Sequence, residues 1–167
     1  MNYELDETDD WVEEFRRDWY PRFHDPLTTI GEVLGIGLYS QGKVGYDQYV
    51  AELDEEEDTI ELELDDVGFR RNPISALKSL PDGRLSEGSW VLLHRDAPDL
   101  VEHGMQLHVT LFQRDRGGTG RALYAHYEDD WRVDPLAHLR AKHLSTRAGV
   151  ELTRKYLDEN SYLVLKE

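Results

Sequence analysis

The chain contains no cysteine in 167 residues. That excludes disulfides, thiolate catalysis and cysteine-based zinc sites together. It contains no apolar run approaching the ~18 residues a membrane-spanning helix needs. Its first residues, Met1-Asn2-Tyr3-Glu4, are polar and acidic, unlike a secretory signal. Lysine is scarce, with five residues (Lys43, Lys78, Lys142, Lys155 and Lys166), and the remaining basic residues are arginines. So little positive charge leaves no basic face to neutralise phosphates, so nucleic acid is not an expected partner. The expectation left by these absences is a cytoplasmic protein with no membrane partner.

What is present is acid. Thirty-five Asp and Glu face 19 Lys and Arg, for a formal net charge of −16. Acid excess, lysine poverty and absence of cysteine together resemble proteins of salt-in halophilic archaea. That resemblance implies a working environment of high KCl. The physical reason is screening: at molar salt the Debye length falls to about 3 Å, and repulsion among surface carboxylates fades. A hydrophobic content of 39% and 17 aromatic residues argue for a folded core, since Phe, Trp and Tyr number 4, 4 and 9. A chain of this length can bury roughly 70% of its unfolded surface.

The hydrophobic periods give an element order. Thr8, as N-cap, precedes Asp9 and Asp10, and Trp11, Phe15 and Trp19 fall on one face of an amphipathic N-terminal helix ending before Pro21. This stripe reads as core packing. Period-two patterns predict strands over 33–38 and 44–53, with a turn at Gln41-Gly42. A third strand is predicted at 60–65, where Ile60, Leu62 and Leu64 alternate with Glu61, Glu63 and Asp65. Gly31, Gly35 and Gly37 lack the spacing of a dinucleotide loop. A short helix over 73–80, a strand over 90–95 and paired strands over 106–113 and 121–128 follow. A glycine-rich loop joins the last two. Asp134-Pro135 starts a helix that puts Leu136, Leu139 and His143 on one face. Ser145 or Thr146 caps a second helix, with Ala148, Leu152 and Tyr156 in a stripe, ending near Asn160. Residues 162–166 read as a final strand. The fold class expected is α+β: one domain over 1–167, a mostly antiparallel meander with helices on one face.

The chemistry-bearing stretch is 106–113. Leu107, Val109 and Leu111 point one way; Gln106, His108 and Thr110 point the other. In 121–128, Leu123, Ala125 and Tyr127 match the apolar side, and Tyr124, His126 and Glu128 the polar side. If the apolar sides align, His108 and His126 share a face, opposite or one diagonal step apart. His108 can then act as a general acid or base near neutral pH, with Thr110 and His126 in support. Alternatively His108, His126 and Glu128 form a two-histidine carboxylate set for Zn²⁺, Mn²⁺ or Fe²⁺. With neither role the pair would be ordinary half-exposed sheet histidines. His138 and His143 lie about 140° apart on a helix and should not share an ion. The loop at 114–121 carries Arg114, Arg116 and Arg121 and could cradle a phosphate.

His108-Val109-Thr110 also resembles the His-x-Thr motif of the two-histidine phosphodiesterases, with His143-Leu144-Ser145 as a second copy. The resemblance implies His108 and His143 as an acid–base pair and Thr110 and Ser145 as phosphate binders. Two function classes remain open. One is a non-enzymatic interaction or regulatory domain with an unidentified protein or small-molecule partner. The other is a small hydrolase, phosphodiesterase-like or metal-dependent, working on the His108/His126 face. An open pocket there would favour the enzyme; a filled face with apolar surface elsewhere would favour the binding domain.

Overall fold

A computed structural model describes residues 43–72, 78–114 and 120–166. The chain divides into two units, Met1–Ser40 and Gln41–Glu167, and every described residue belongs to the second. The N-terminal helix, the strand at 33–38, the turn at Gln41-Gly42, most of the helix at 73–80 and the glycine-rich loop lie outside the described residues.

The second unit is α+β. Its strands are β1 (Tyr49–Leu53), β2 (Arg70–Arg71), β3 (Ser86–Leu93), β4 (Met105–Gln113) and β5 (Arg121–Asp129). Its helices are α1 (Glu57–Asp66), α2 (Pro135–Leu139) and α3 (Thr146–Asn160). The strands form one sheet in the order β1-β5-β4-β3-β2, antiparallel at every pairing. Thus β2 to β5 is a meander, and β1 returns to the free edge of β5. Among the described residues, no helix is long and apolar enough to cross a membrane.

The strand predicted at 60–65 is helix α1. Positions 60, 62 and 64 fit a strand, but 60 and 64 also fit one helix face. Ile60 and Leu64 are fully buried, while Leu62 is 54% exposed. Glu57 and Asp58 occupy the first turn, where the helix dipole favours acids, and glutamate is a poor strand former. The overlooked signal is Gly68. It takes φ +95° just past the helix, Phe69 N–H bonds Leu64 C=O and Gly68 N–H bonds Asp65 C=O. This is the paired-bond stop in which a left-handed glycine ends a helix.

Other boundaries shift for local reasons. A 3-10 turn, Tyr46–Gln48, takes the first half of the strand expected at 44–53. Ser79, expected in a helix, instead bridges Lys43 and Leu85. Asp134 caps α2 from its side chain as expected, but α2 stops at Leu139. Leu136 is 63% exposed and His143 lies beyond the helix, so these two do not share a packed helix face. Ser145 caps α3, which ends at Asn160 as expected. Its most buried line is Gly149, Thr153 and Leu157, one position beyond the predicted stripe. Residues 162–166 contribute a single bridge, Lys166 to Glu52.

The sheet has two unlike faces. Leu107, Val109, Leu111, Leu123 and Ala125 join Ile60, Leu64, Trp90 and Leu157 in the main apolar cluster. This face is covered by α1 and α3. Gly149 brings α3 so close that a Cβ there would sit 2.2 Å from the His126 Cα. The opposite face carries a small apolar cluster, Val44, Leu80, Phe112, Ala122 and Tyr124. Beside it lie Gln106, His108, Thr110, His126 and Glu128.

Candidate metal centre

The register of β4 on β5 sets His108 directly opposite His126 and Gln106 opposite Glu128. Directly opposed residues share a face, so both histidines and Glu128 converge on one side of the sheet. The imidazole centroids lie 4.7 Å apart at 63°. This side is not half-exposed. His108 and His126 are 1% exposed and Glu128 4%.

Each imidazole is oriented from outside the cluster. His126 Nδ1 lies 2.7 Å from Gln48 Oε1. An amide oxygen can only accept, so Nδ1 carries the proton and Nε2 presents its lone pair. That Nε2 is buried and has no hydrogen-bond donor. It points at Glu128 Oε1, 3.2 Å away. His108 Nε2 lies 2.5 Å from Ser89 Oγ, which donates to Val109 C=O at 3.2 Å. His108 Nδ1 lies 3.2 Å from Lys78 Nζ and 2.9 Å from Glu128 Oε1. An ammonium can only donate and a carbonyl can only accept. The Lys78 contact places the lone pair on Nδ1 and the proton on Nε2, which donates to Ser89; this is the tautomer we assign, and it leaves Nδ1 and the Glu128 carboxylate as two acceptors 2.9 Å apart. The opposite tautomer would set an N–H against the Lys78 ammonium.

Two imidazole lone pairs and a carboxylate oxygen thus face one another inside the protein. The three ligand atoms all lie within 4.8 Å of one another. Bonds of about 2.0–2.1 Å to a tetrahedral ion put neighbouring ligands roughly 3.3 Å apart, close to the 2.9 and 3.2 Å found here. Each ligand has an outer partner of the kind that orients metal-binding side chains. These are Ser89 for His108, Gln48 for His126, and Gln106 Nε2, which donates to Glu128 Oε1 at 2.8 Å.

The charge states agree with this set. Burial, with Lys78 alongside, pushes the His108 pKa down to about 3. Burial lowers His126 as well, so both rings are neutral. Lys78, buried with them, falls to about 8 through desolvation, opposed by Glu128. Near pH 7 the cluster therefore holds one ammonium and one carboxylate.

Thr110 is buried on the same face, opposite Tyr124 on β5 and Ser89 on β3. His143 and Ser145 are not part of the centre. His143 Nδ1 meets Asp129 Oδ1 at 2.8 Å, with its side chain 54% exposed, and Ser145 caps α3. The second motif therefore does not stand on a facing strand, as the phosphodiesterase resemblance requires. His138 Nδ1 bonds Asp129 C=O at 2.9 Å and lies 3.4 Å from Glu128 Oε2; His143 lies beyond the end of α2, so the helical spacing expected for the two histidines does not apply.

Sequence reasoning missed Gln48, Lys78, Ser89 and His138. One signal was available: Lys78 is a rare lysine of this chain, set in the otherwise uncharged run Ile74-Ser75-Ala76-Leu77-Lys78-Ser79-Leu80. No family model, curated protein or solved structure matches the chain.

Proposed function

We propose that this protein is a non-enzymatic, metal-binding regulatory or interaction domain, in which His108, His126 and Glu128 hold one borderline divalent ion such as Zn²⁺. The observation that carries this reading is the convergence of two outward-held imidazole lone pairs on one buried carboxylate oxygen. Such an arrangement repels itself unless a cation fills it. Nitrogen-plus-carboxylate donors suit Zn²⁺, Mn²⁺ and Fe²⁺, and exclude soft thiolate-seeking ions.

The regulatory reading is preferred to hydrolysis because the centre is closed. His108, Thr110 and His126 would have to meet a substrate on a face where none exceeds 2% exposure. A catalytic ion needs a position that substrate can reach, and the burial of all three donors denies that access. Exposed apolar side chains lie elsewhere: Trp131, Val133 and Leu136, at 42, 56 and 63%, follow directly on β5.

Equilibrium dialysis against micromolar zinc in 2 M KCl, with metal counted by mass spectrometry, tests the proposal. One ion per chain should be retained, and His126→Leu and Glu128→Leu should each abolish retention. Equal retention by wild type and both variants, or none by any of them, would refute it.

A further inference from the structure

The geometry points to Lys78 as a built-in competitor for this centre: its ammonium stands in for the ion when the site is empty and must be expelled when an ion enters. The inference rests on the metal-binding reading and concerns how that same site is regulated.

Lys78 is 4% exposed, and its Nζ is 3.2 Å from His108 Nδ1, the nitrogen assigned as a ligand. An ion bonded to Nδ1 at about 2 Å would share that lone pair and crowd the ammonium. The lone pair cannot serve both. Two like charges a few ångströms apart inside a protein repel strongly, and Glu128 cannot neutralise a divalent ion and an ammonium together. The backbone does not yield easily here. Lys78 C=O accepts from Ser86 N–H at 2.9 Å, and Ser79 C=O from Val44 N–H at 2.9 Å. The side chain is the part free to leave.

The same lysine explains why the empty site is tolerable. With Lys78 in place, Glu128 has a countercharge and His108 Nδ1 has a donor. Exchange of one ammonium for one divalent ion keeps the centre filled in both states. It also couples occupancy of the ion to the placement of the Lys78 side chain. The metal-free and metal-loaded proteins would then differ at the surface above Lys78, as a regulatory domain needs.

The test uses Lys78→Met, which keeps length and apolar bulk but removes the charge. Zinc affinity should rise by about 10–100-fold, while the metal-free variant should melt at a lower temperature than wild type, because Glu128 loses its nearby countercharge. A purely structural lysine would weaken both properties. A second measurement needs no variant: amine-reactive labelling of wild type, read at each lysine by mass spectrometry. Lys78 should be protected without zinc and labelled with it, reversibly on chelation, whereas exposed Lys142 and Lys155 should label equally in both states. If wild type binds zinc but Lys78→Met binds no tighter, or Lys78 stays protected at saturation, the competitor role is wrong and the metal site stands. If neither protein binds zinc, both fall. If only Lys78→Met binds, the competitor role holds and the wild-type site is closed to metal.

Discussion

The two faces of the β4–β5 hairpin are buried to the same degree by opposite chemistry. Leu107, Val109, Leu111, Leu123 and Ala125 on one side, and Gln106, His108, Thr110, His126 and Glu128 on the other, are each at most 4% exposed. Removing the first set from water stabilises the fold by about 25 cal/mol per Å². Removing the second costs free energy unless each polar atom finds a partner. Folding alone accounts for the apolar face. It does not account for a buried carboxylate facing two imidazole lone pairs, when leucines of similar volume would serve stability as well or better. Equal burial at unequal cost is the feature that the proposed metal site would explain.

Acid should separate the faces most. In the metal-free fold His108 is held at about 3, whereas an unfolded histidine titrates near 6.5. Between these values the unfolded chain binds more protons, so stability falls as pH drops from about 6.5 toward 3, and this group changes nothing above 6.5. The loss should approach the order of 5 kcal/mol at the acid limit. Lys78, held at about 8, should give a second rise in stability between pH 8 and 10.5. Denaturant melts across pH, repeated on His108→Leu, should lose the histidine step in the variant.

Next in size is Glu128→Leu, which should cost about 4 kcal/mol by stranding the buried Lys78 ammonium. The double variant Lys78→Met/Glu128→Leu should recover most of that loss while remaining unable to bind zinc. A double variant as unstable as the single one would break the comparison, for the pair would not then be the source of the cost.

On the apolar face, Leu107→Ala should cost about 3 kcal/mol through lost burial and a cavity. The loss should be the same with and without zinc. A zinc-dependent loss would mean that the two faces are not energetically separate.

The smallest effect per site comes from the surface. With a net charge of −16, the midpoint of thermal unfolding should rise steadily from 0.1 to 3 M KCl. The increment should be alike in wild type and the polar-face variants, since buried charges are screened little by salt. A flat or falling midpoint would remove the high-salt reading.

Much of this was legible in the sequence, for identifiable reasons. Strict alternation in β4 and β5 placed His108 and His126 together, because a slip of one residue would have turned every leucine outward. The Asp134 and Ser145 caps announced α2 and α3. Ile60, Leu62 and Leu64 misled because their spacing satisfies two periods at once, and Gly68 was the deciding residue. Burial of the polar face could not be read locally. Its cover comes from Val44, Gln48, Lys78 and Leu80, remote in sequence from the hairpin, and nothing in the hairpin's own pattern distinguishes a polar face turned to water from one turned to the interior.

The central claim is that His108 Nδ1, His126 Nε2 and Glu128 are ligands of one ion. Anomalous diffraction at the zinc edge, from crystals of wild-type protein loaded with one equivalent of zinc in high KCl, addresses it directly. A single peak should lie about 2.0–2.2 Å from each of those three groups, with the Lys78 ammonium moved away from His108. Peaks at surface carboxylates or at the Asp129–His143 pair, with the space between His108, His126 and Glu128 empty, would contradict it.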